Sequence, residues 1–392
     1  MEMNIFTISP TPTFVFGAGA LQKLPSYILK YGTTALFIIG QKALKENGTL
    51  DTLNSICKSF NITSMFHCIS CEPSVQLIDE AVEIFKDKNI SCVVSCGGGS
   101  VIDAGKAISA MLTVTGSVKD YLEGVGTKKH CGSKIPFIAI PTTAGTGSEA
   151  TKNAVISEVG ENGFKKSLRH DNFMPNVAIV DPELSLSLPK DITAHCGFDA
   201  ISQLLESFIS TRANFFTDSI CENALLIALK TFVPLYNNPI DINLRTAFSY
   251  AAYISGLTLA NAGLGICHGI AGPMGGLHKI NHGIVCANIL PASITFTVNK
   301  ILQNVEENFV AFSKIAKIGR HLHPTKDVEP REYCIFLAET LEAWADYVEV
   351  PRFRNFGLKI DDCKKIASVS DIKNSPVDAT KEDLELIIKN RI

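Results

Sequence analysis

Ser95-Cys-Gly-Gly-Gly-Ser-Val-Ile-Asp-Ala-Gly-Lys106 follows directly on the apolar run Ile90-Ser-Cys-Val-Val94. A buried strand that ends in three consecutive glycines and opens a helix leaves room for backbone N–H groups to approach an anionic group closely. Ser100 is read as the N-cap, and the helix start behind it adds partial positive charge. The segment therefore suits a phosphate or pyrophosphate, although glycine equally serves a plain strand-to-helix turn.

Outward from this stretch, the first half alternates apolar β-like runs with helical patterns. Strands are expected at Ala35–Ile39, Ile62–Ile69, Ile90–Ser95, Phe137–Ile140 and Val177–Val180, with helices over Thr49–Phe60, Gln76–Lys88 and Gly99–Leu112. Such alternation predicts a parallel sheet covered by helices on both faces. After Pro189 the pattern becomes helical throughout, over Asp191–Ser210, Phe216–Phe232, Leu244–Leu259, Cys267–Leu277, Ile284–Val298, Val305–Ile318 and Arg331–Tyr347. The expected organisation is an α/β dinucleotide-binding domain over 1–185 and an all-helical domain over 186–392. In open α/β sheets ligands sit at the carboxyl ends of strands, which places the chemistry in a cleft between the two halves.

Composition narrows the function. A chain of 392 residues with 46% hydrophobic and 19% charged content is that of an ordinary globular protein with room for two or three domains. A net charge of −3, without a basic tract, gives no reason to expect nucleic acid. The opening Met1-Glu2-Met3-Asn4-Ile5 lacks the basic and apolar regions of a signal peptide. Thr246–Leu277 is uncharged, but Asn261, His268, Pro273 and repeated glycines interrupt it; a buried helical core fits it better than a membrane span. The twelve cysteines lie mostly in apolar runs, as with Cys92, Cys96, Cys221 and Cys286. They predict reduced thiols in a cytoplasmic protein. Cys68-Ile-Ser-Cys71 is a lone pair without the partners of a zinc site.

A second polar loop, Pro141-Thr-Thr-Ala-Gly-Thr-Gly-Ser-Glu149, follows another strand and offers many hydrogen-bonding groups. Two such loops after strands of one sheet favour a dinucleotide site. In the helical half, Asp199 and Gln203 share a helix face at i, i+4, and His268 and His282 stand in a stretch almost free of other charge. One carboxylate with two imidazoles suits a catalytic divalent cation, while histidines of a satisfied core remain the alternative.

Gly97-Gly-Gly-Ser-Val-Ile-Asp-Ala-Gly-Lys106, the Pro141–Glu149 loop, Asp181-Pro-Glu-Leu184, Gly197-Phe-Asp-Ala200 and His268-Gly…His282-Gly283 occur in this order. Together they resemble the iron-containing (group III) alcohol dehydrogenases of the dehydroquinate synthase-like fold. The resemblance runs from Pro12-Thr-Phe-Val-Phe-Gly17 to Ser375-Pro-Val-Asp-Ala-Thr-Lys-Glu-Asp383, where the closing helix is expected to begin. It implies hydride transfer between NAD or NADP and a primary alcohol or aldehyde, in a homodimer; the charge and the interrupted apolar stretch above already argue against a nucleic-acid or membrane partner. It implies cofactor contacts at Gly98, Gly99, Ser100, Thr142, Thr143 and Ser148 and at Lys165, with the adjacent Lys166 as the alternative. It implies one metal, Fe²⁺ before Zn²⁺, at Asp199, Gln203, His268 and His282.

Three positions depart from the family. Gln203 stands where a ligand histidine is usual, as a weak fourth ligand or an amide behind the metal, and it leaves open a site without metal. Gly272 stands where a proton-relaying histidine is frequent, which makes His278 the candidate catalytic residue. Gly40 stands where NAD-using members carry Asp, so NADP becomes an alternative, with Lys42 and Lys45 near. Two other classes stay open: a lyase or synthase on this fold that recycles bound NAD, and a cofactor-binding protein that has lost metal and turnover.

Overall fold

Side chains along the central strands alternate between two apolar layers, and this alternation builds the first half of the molecule. Leu36, Ile38, Val93, Phe137 and Ala139 point into one layer. Ala35, Phe37, Ile39, Cys92, Val94, Cys96, Ile138 and Ile140 point into the other. Both faces are thus buried, as a helix-covered parallel sheet requires. The structure, a computed structural model, describes residues 5–161, 163–324 and 327–392. Met1–Asn4, read above for a leader signal, lie outside the described residues.

The strands are β1 (Thr13–Phe16), β2 (Thr34–Gly40), β3 (Thr63–Ile69), β4 (Cys92–Gly97), β5 (Phe137–Pro141), β6 (Asn153–Glu158), β7 (Phe164–Arg169) and β8 (Val177–Val180). Six of them form one sheet in the order β1-β8-β5-β4-β2-β3, all parallel, and β6 and β7 form a separate antiparallel hairpin. Helices α1 (Leu24–Ile28), α2 (Ala43–Glu46), α3 (Thr49–Ser59), α4 (Val75–Phe85) and α5 (Gly99–Met111) belong to this half. β1 and the hairpin were not expected. β1 is only four residues long and lies at the sheet edge; the hairpin carries Lys165, Lys166 and Arg169 and lacks a continuous apolar run.

The second half is helical, as the periodicity predicts. It comprises α6 (Lys190–Ile209), α7 (Phe215–Asn237), α8 (Ile242–Ala262), α9 (Ile266–Leu277), α10 (His282–Gln303), α11 (Phe309–Leu322), α12 (Pro330–Tyr347), α13 (Ile360–Val369) and α14 (Lys381–Lys389). The stretch Thr246–Leu277 falls on α8 and α9, which meet at a bend of 97° around Gly263, whose φ is +76°. By length and composition alone α7 and α10 could each cross a membrane, but 72% of the apolar window of α10 is buried inside the fold. The small residues of α8 serve contact with the sheet domain. A Cβ on Gly256 would lie 2.0 Å from the carbonyl oxygen of Gly147, in the loop after β5. Backbone meets backbone there, so the polar loop of the sheet domain is clamped against the helical domain.

Candidate active site

At the carboxyl ends of the sheet strands, β4 ends at Gly97 and α5 begins at Gly99. The N-cap is Gly98 rather than Ser100, which sits inside the first turn. Gly98 takes an extended conformation, and its carbonyl accepts from the N–H groups of Val101 and Ile102 at 2.9 and 3.1 Å. The cap therefore lies two residues before Ser100. The first-turn N–H groups that lack intrahelical partners are then those of the glycine segment, and the positive end of the α5 dipole lies there.

The two polar loops meet at this point. A Cβ on Gly99 would come within 2.6 Å of the Thr146 side chain, and one on Gly98 within 3.4 Å of Thr143. The N–H of Thr142 donates to the carbonyl of Gly97 at 3.0 Å. Beneath them Lys106, 1% exposed, donates to the carbonyls of Ser148 and Asn153 at 2.8 and 2.7 Å and to Thr151 Oγ1 at 3.0 Å. The Ser148 hydroxyl donates to Asp103, whose other oxygen accepts from the N–H of Val155 at 3.0 Å. Burial holds the Lys106 ammonium down to about 8 and pushes the neighbouring Glu149 carboxyl up to about 7.

A cleft of about 470 Å³ runs from these loops to the helical half. Gly99, Ser100, Ser148, Lys165, Gln203, His268, Gly272 and His282 line it. Lys165 turns inward and pairs with Glu72 at 2.8 Å, whereas Lys166 is exposed, as alternation along β7 requires. The Lys165 ammonium holds the Glu72 carboxyl below the usual carboxylate range, against the effect of burial. Gly98, Thr142 and Thr143 adjoin the lining loop without lining the cleft themselves. Gly40 ends β2, beside the end of β4, and is likewise outside the lining. His278 caps the C-terminus of α9 and is not among the lining residues. Gly272 does line the cleft, and a Cβ there would meet nothing within 4 Å.

At the helical end, three helices bring together residues far apart in sequence. Asp199 of α6 is 2% exposed and His268 of α9 is 7% exposed. Asp199 Oδ1 lies 3.3 Å from His268 Nε2 and 3.8 Å from His282 Nε2. His282 is the first residue of α10, whose start is fixed by Asn281 accepting from the N–H of Gly283 at 3.0 Å. Gln203 takes the place behind Asp199: its Nε2 donates to Asp199 Oδ1 at 3.1 Å, and its Oε1 accepts from Ser255 Oγ at 2.7 Å. Burial opposes charge on His268, yet Cys286, Asp199 and Glu206 around it raise its pKa well above the ordinary histidine value. Burial likewise opposes charge on Asp199, and the two imidazoles outweigh it and hold the carboxyl low.

Two residues here were not anticipated. Glu206 accepts from His268 Nδ1–H at 2.7 Å and from the N–H of Cys267 at 2.6 Å, so one carboxylate both orients the imidazole and binds the N-terminus of α9. Its signal was the spacing Asp199, Gln203, Glu206, which repeats one helix face at i, i+4, i+7. Cys286 of α10, one turn after His282, places Sγ 3.7 Å from the Nε2 atoms of both histidines. The donor atoms of Asp199, His268, His282 and Cys286 all lie within 4.8 Å of one another. A buried carboxylate, two imidazoles and a sulfur with no ammonium or guanidinium among them fit a divalent transition cation.

Comparison with known proteins covers nearly the whole chain. Residues 10–182 match the iron-containing alcohol dehydrogenase family, and residues 193–392 match the C-terminal part of the Fe-containing alcohol dehydrogenase family. The chain belongs to the iron-containing alcohol dehydrogenase family and is an oxidoreductase of that family. It is similar to the NAD-dependent methanol dehydrogenase of Bacillus methanolicus, 29% identical over 388 residues that span 97% of this chain and 98% of the relative. It is also similar to the NADPH-dependent butanol dehydrogenase of Clostridium saccharobutylicum, 30% identical over 303 residues, 77% of this chain and 75% of the relative. The crystal structure of an archaeal alcohol dehydrogenase from a Red Sea brine pool superposes over 100% of both chains, with a TM-score of 0.90 at 24% identity. It shares the fold.

Proposed function

We propose that the protein interconverts a primary alcohol and an aldehyde with a nicotinamide dinucleotide, using a divalent cation held by Asp199, His268 and His282. The observation that carries this reading is one cleft lined at one end by Gly99 and Ser100 and at the other by His268 and His282. When bound, the nicotinamide supplies or accepts the hydride, and the cation polarises the substrate oxygen as a Lewis acid.

The chain's own residues do the positioning. The glycine segment and the α5 N-terminus hold the pyrophosphate through backbone N–H groups, and the missing Cβ atoms of Gly99 and Gly98 let Thr146 and Thr143 of the second loop pack against them. Thr142 and Thr143, in the loop behind the lining residues, back the ribose side, and Lys165, fixed by Glu72, presents its ammonium to the cofactor across the cleft. Glu206 keeps the proton of His268 on Nδ1, so that Nε2 faces the cation. The open space above Gly272 leaves proton exchange at the substrate oxygen to solvent or to a side chain arriving with the substrate. His278, outside the lining, would reach it only by a movement of the turn after α9.

The cofactor side is open to either dinucleotide. Gly40 offers no carboxylate to repel a 2′-phosphate, and named relatives include both an NAD-dependent and an NADPH-dependent enzyme. NADPH is expected to serve at least as well as NADH. Gly40→Asp should lower the preference for NADPH by about tenfold, read from the ratio of kcat/KM values for the two cofactors. A strong preference of the wild type for NADH would remove the argument. All twelve cysteines are free thiols, which supports a reducing, cytoplasmic compartment, and a homodimer is the expected assembly by the family resemblance.

The test is metal analysis of anaerobically purified protein, combined with NADH and NADPH oxidation against a panel of aldehydes. About one metal per chain with aldehyde-dependent oxidation supports the proposal. Full turnover by demonstrably metal-free protein, unaffected by added Fe²⁺ or Zn²⁺, contradicts it.

A further inference from the structure

We infer that Cys286 Sγ is a fourth protein ligand of the cation, taking over the task that an imidazole at position 203 would perform, and that the resulting Asp/His/His/Cys set prefers zinc to iron(II). The inference rests on the reading that Asp199, His268 and His282 hold a divalent cation.

The first argument is geometric. A tetrahedral first-row cation with metal–sulfur bonds of about 2.3 Å and metal–nitrogen or metal–oxygen bonds of about 2.0–2.1 Å sets the edges of the donor tetrahedron. Those lengths require about 3.6 Å between sulfur and nitrogen, and about 3.4 Å between nitrogen and oxygen. Cys286 Sγ lies 3.7 Å from His268 Nε2 and 3.7 Å from His282 Nε2. Asp199 Oδ1 lies 3.3 Å from one of those nitrogens and 3.8 Å from the other. Four independent separations therefore fall within about 0.4 Å of the edges of one coordination tetrahedron.

The second argument is occupancy of the alternatives. Gln203 has both ends of its amide engaged, the nitrogen with Asp199 and the oxygen with Ser255. It buttresses Asp199 and leaves the coordination to the sulfur. Cys286 is fully buried, and its side chain faces the two imidazoles from the second turn of α10. A thiol buried only for packing has no need of two imidazole neighbours aimed at it from different helices. On binding, the S–H bond breaks, its electron pair becomes the sulfur–metal bond, and the proton leaves to the buffer. Asp199 and Cys286 approach from the buried side, while His268, Gln203 and His282 line the cleft. The cleft side is therefore where a further ligand, the substrate oxygen, has access. A thiolate is softer than an imidazole and shifts selection towards zinc.

The experiment is anaerobic titration of the full-length metal-stripped protein with Co²⁺, followed by absorption spectroscopy. The expected spectrum shows intense visible d–d bands of a low-coordinate site together with a near-ultraviolet sulfur-to-cobalt charge-transfer band. Cys286→Ser, with its fold checked by circular dichroism, should lose the charge-transfer band, keep weaker d–d bands, and bind Co²⁺ about ten- to a hundredfold less tightly. Competition between Zn²⁺ and Fe²⁺, read by metal content, should favour Zn²⁺ less strongly in the variant than in the wild type. Visible bands without the sulfur band in the wild type would overturn the role of Cys286 and leave the three-ligand reading standing. Absence of any Co²⁺ spectrum would overturn both. The wild-type spectrum decides between these outcomes even if the variant fails to fold.

Discussion

Two clusters of buried polar groups lie on either side of the cleft, and they are built on opposite principles. Beneath the glycine loops, the Lys106 ammonium has acceptors in Ser148, Thr151 and Asn153 and a carboxylate, Asp103, at 3.7 Å. The ammonium finds its complement in Asp103 and the surrounding oxygens inside the protein, and that network is closed. In the helical domain, Asp199, His268, His282 and Cys286 turn an oxygen, two nitrogens and a sulfur towards a common point, and none of the four is a fixed cation. A buried charge network that satisfies itself is architecture, whereas a converging donor set without its own cation is a binding site.

The sharpest way to break this comparison is to open the closed cluster. Lys106→Met removes the ammonium and leaves Asp103 and several carbonyls buried without it. A loss of about 3–5 kcal/mol in unfolding free energy is expected, while the metal content of the folded fraction stays at the wild-type level. Unchanged stability, or lost metal in a folded protein, would erase the distinction.

A somewhat smaller effect should appear as pH dependence. Burial raises the Glu149 carboxyl from 4.5 to about 7 in the folded state. The folded protein therefore holds this proton more tightly than the unfolded chain, and stability falls as pH rises between those two values. Glu149→Gln removes the penalty. The variant should match the wild type near pH 4.5 and exceed it by about 3 kcal/mol above pH 7. Urea unfolding of both proteins at pH 5 and pH 8 measures this; parallel pH profiles would contradict it.

The smallest effect is expected on the open cluster. Glu206 touches His268 and the start of α9 without being among the four converging donors. Glu206→Gln should weaken metal binding by about ten- to a hundredfold, read by competition with a chelator, and most of the loss should be recovered by Glu206→Asp only if the shorter side chain still reaches Nδ1. Metal affinity equal to that of the wild type would show that the orientation of His268 is set by packing alone.

The same contrast explains what could be read from the sequence. The glycine segment before α5 is a backbone device, local in sequence, and its residues announced the strand, the turn and the helix together. The parallel strands were legible because successive residues such as Phe37 and Ile38, or Val93 and Val94, are buried on opposite faces of the sheet and so form continuous apolar runs. The hairpin of β6 and β7 was not, because Lys165, Lys166 and Arg169 mask its alternation. In the helical half Asp199, His268 and His282 were found through the family resemblance and through polar residues standing in apolar surroundings. Cys286 escaped because a cysteine in an apolar helix reads as core, and only the crossing of α6, α9 and α10 brings its sulfur to the imidazoles. Ser100 was misplaced as a cap because serine is the usual choice there, whereas the extended residue that caps α5 is Gly98, two residues earlier.

The central claim is that Asp199 and its neighbours activate a substrate for hydride exchange with a nicotinamide held across the cleft. It is tested most directly by following deuterium from reduced nicotinamide labelled at C4 into a primary aldehyde, with metal-loaded wild type and with Asp199→Ala. The account predicts label at C1 of the alcohol with the wild type, and none above background with Asp199→Ala, although that variant still binds the reduced cofactor. Undiminished label transfer by folded Asp199→Ala would contradict it.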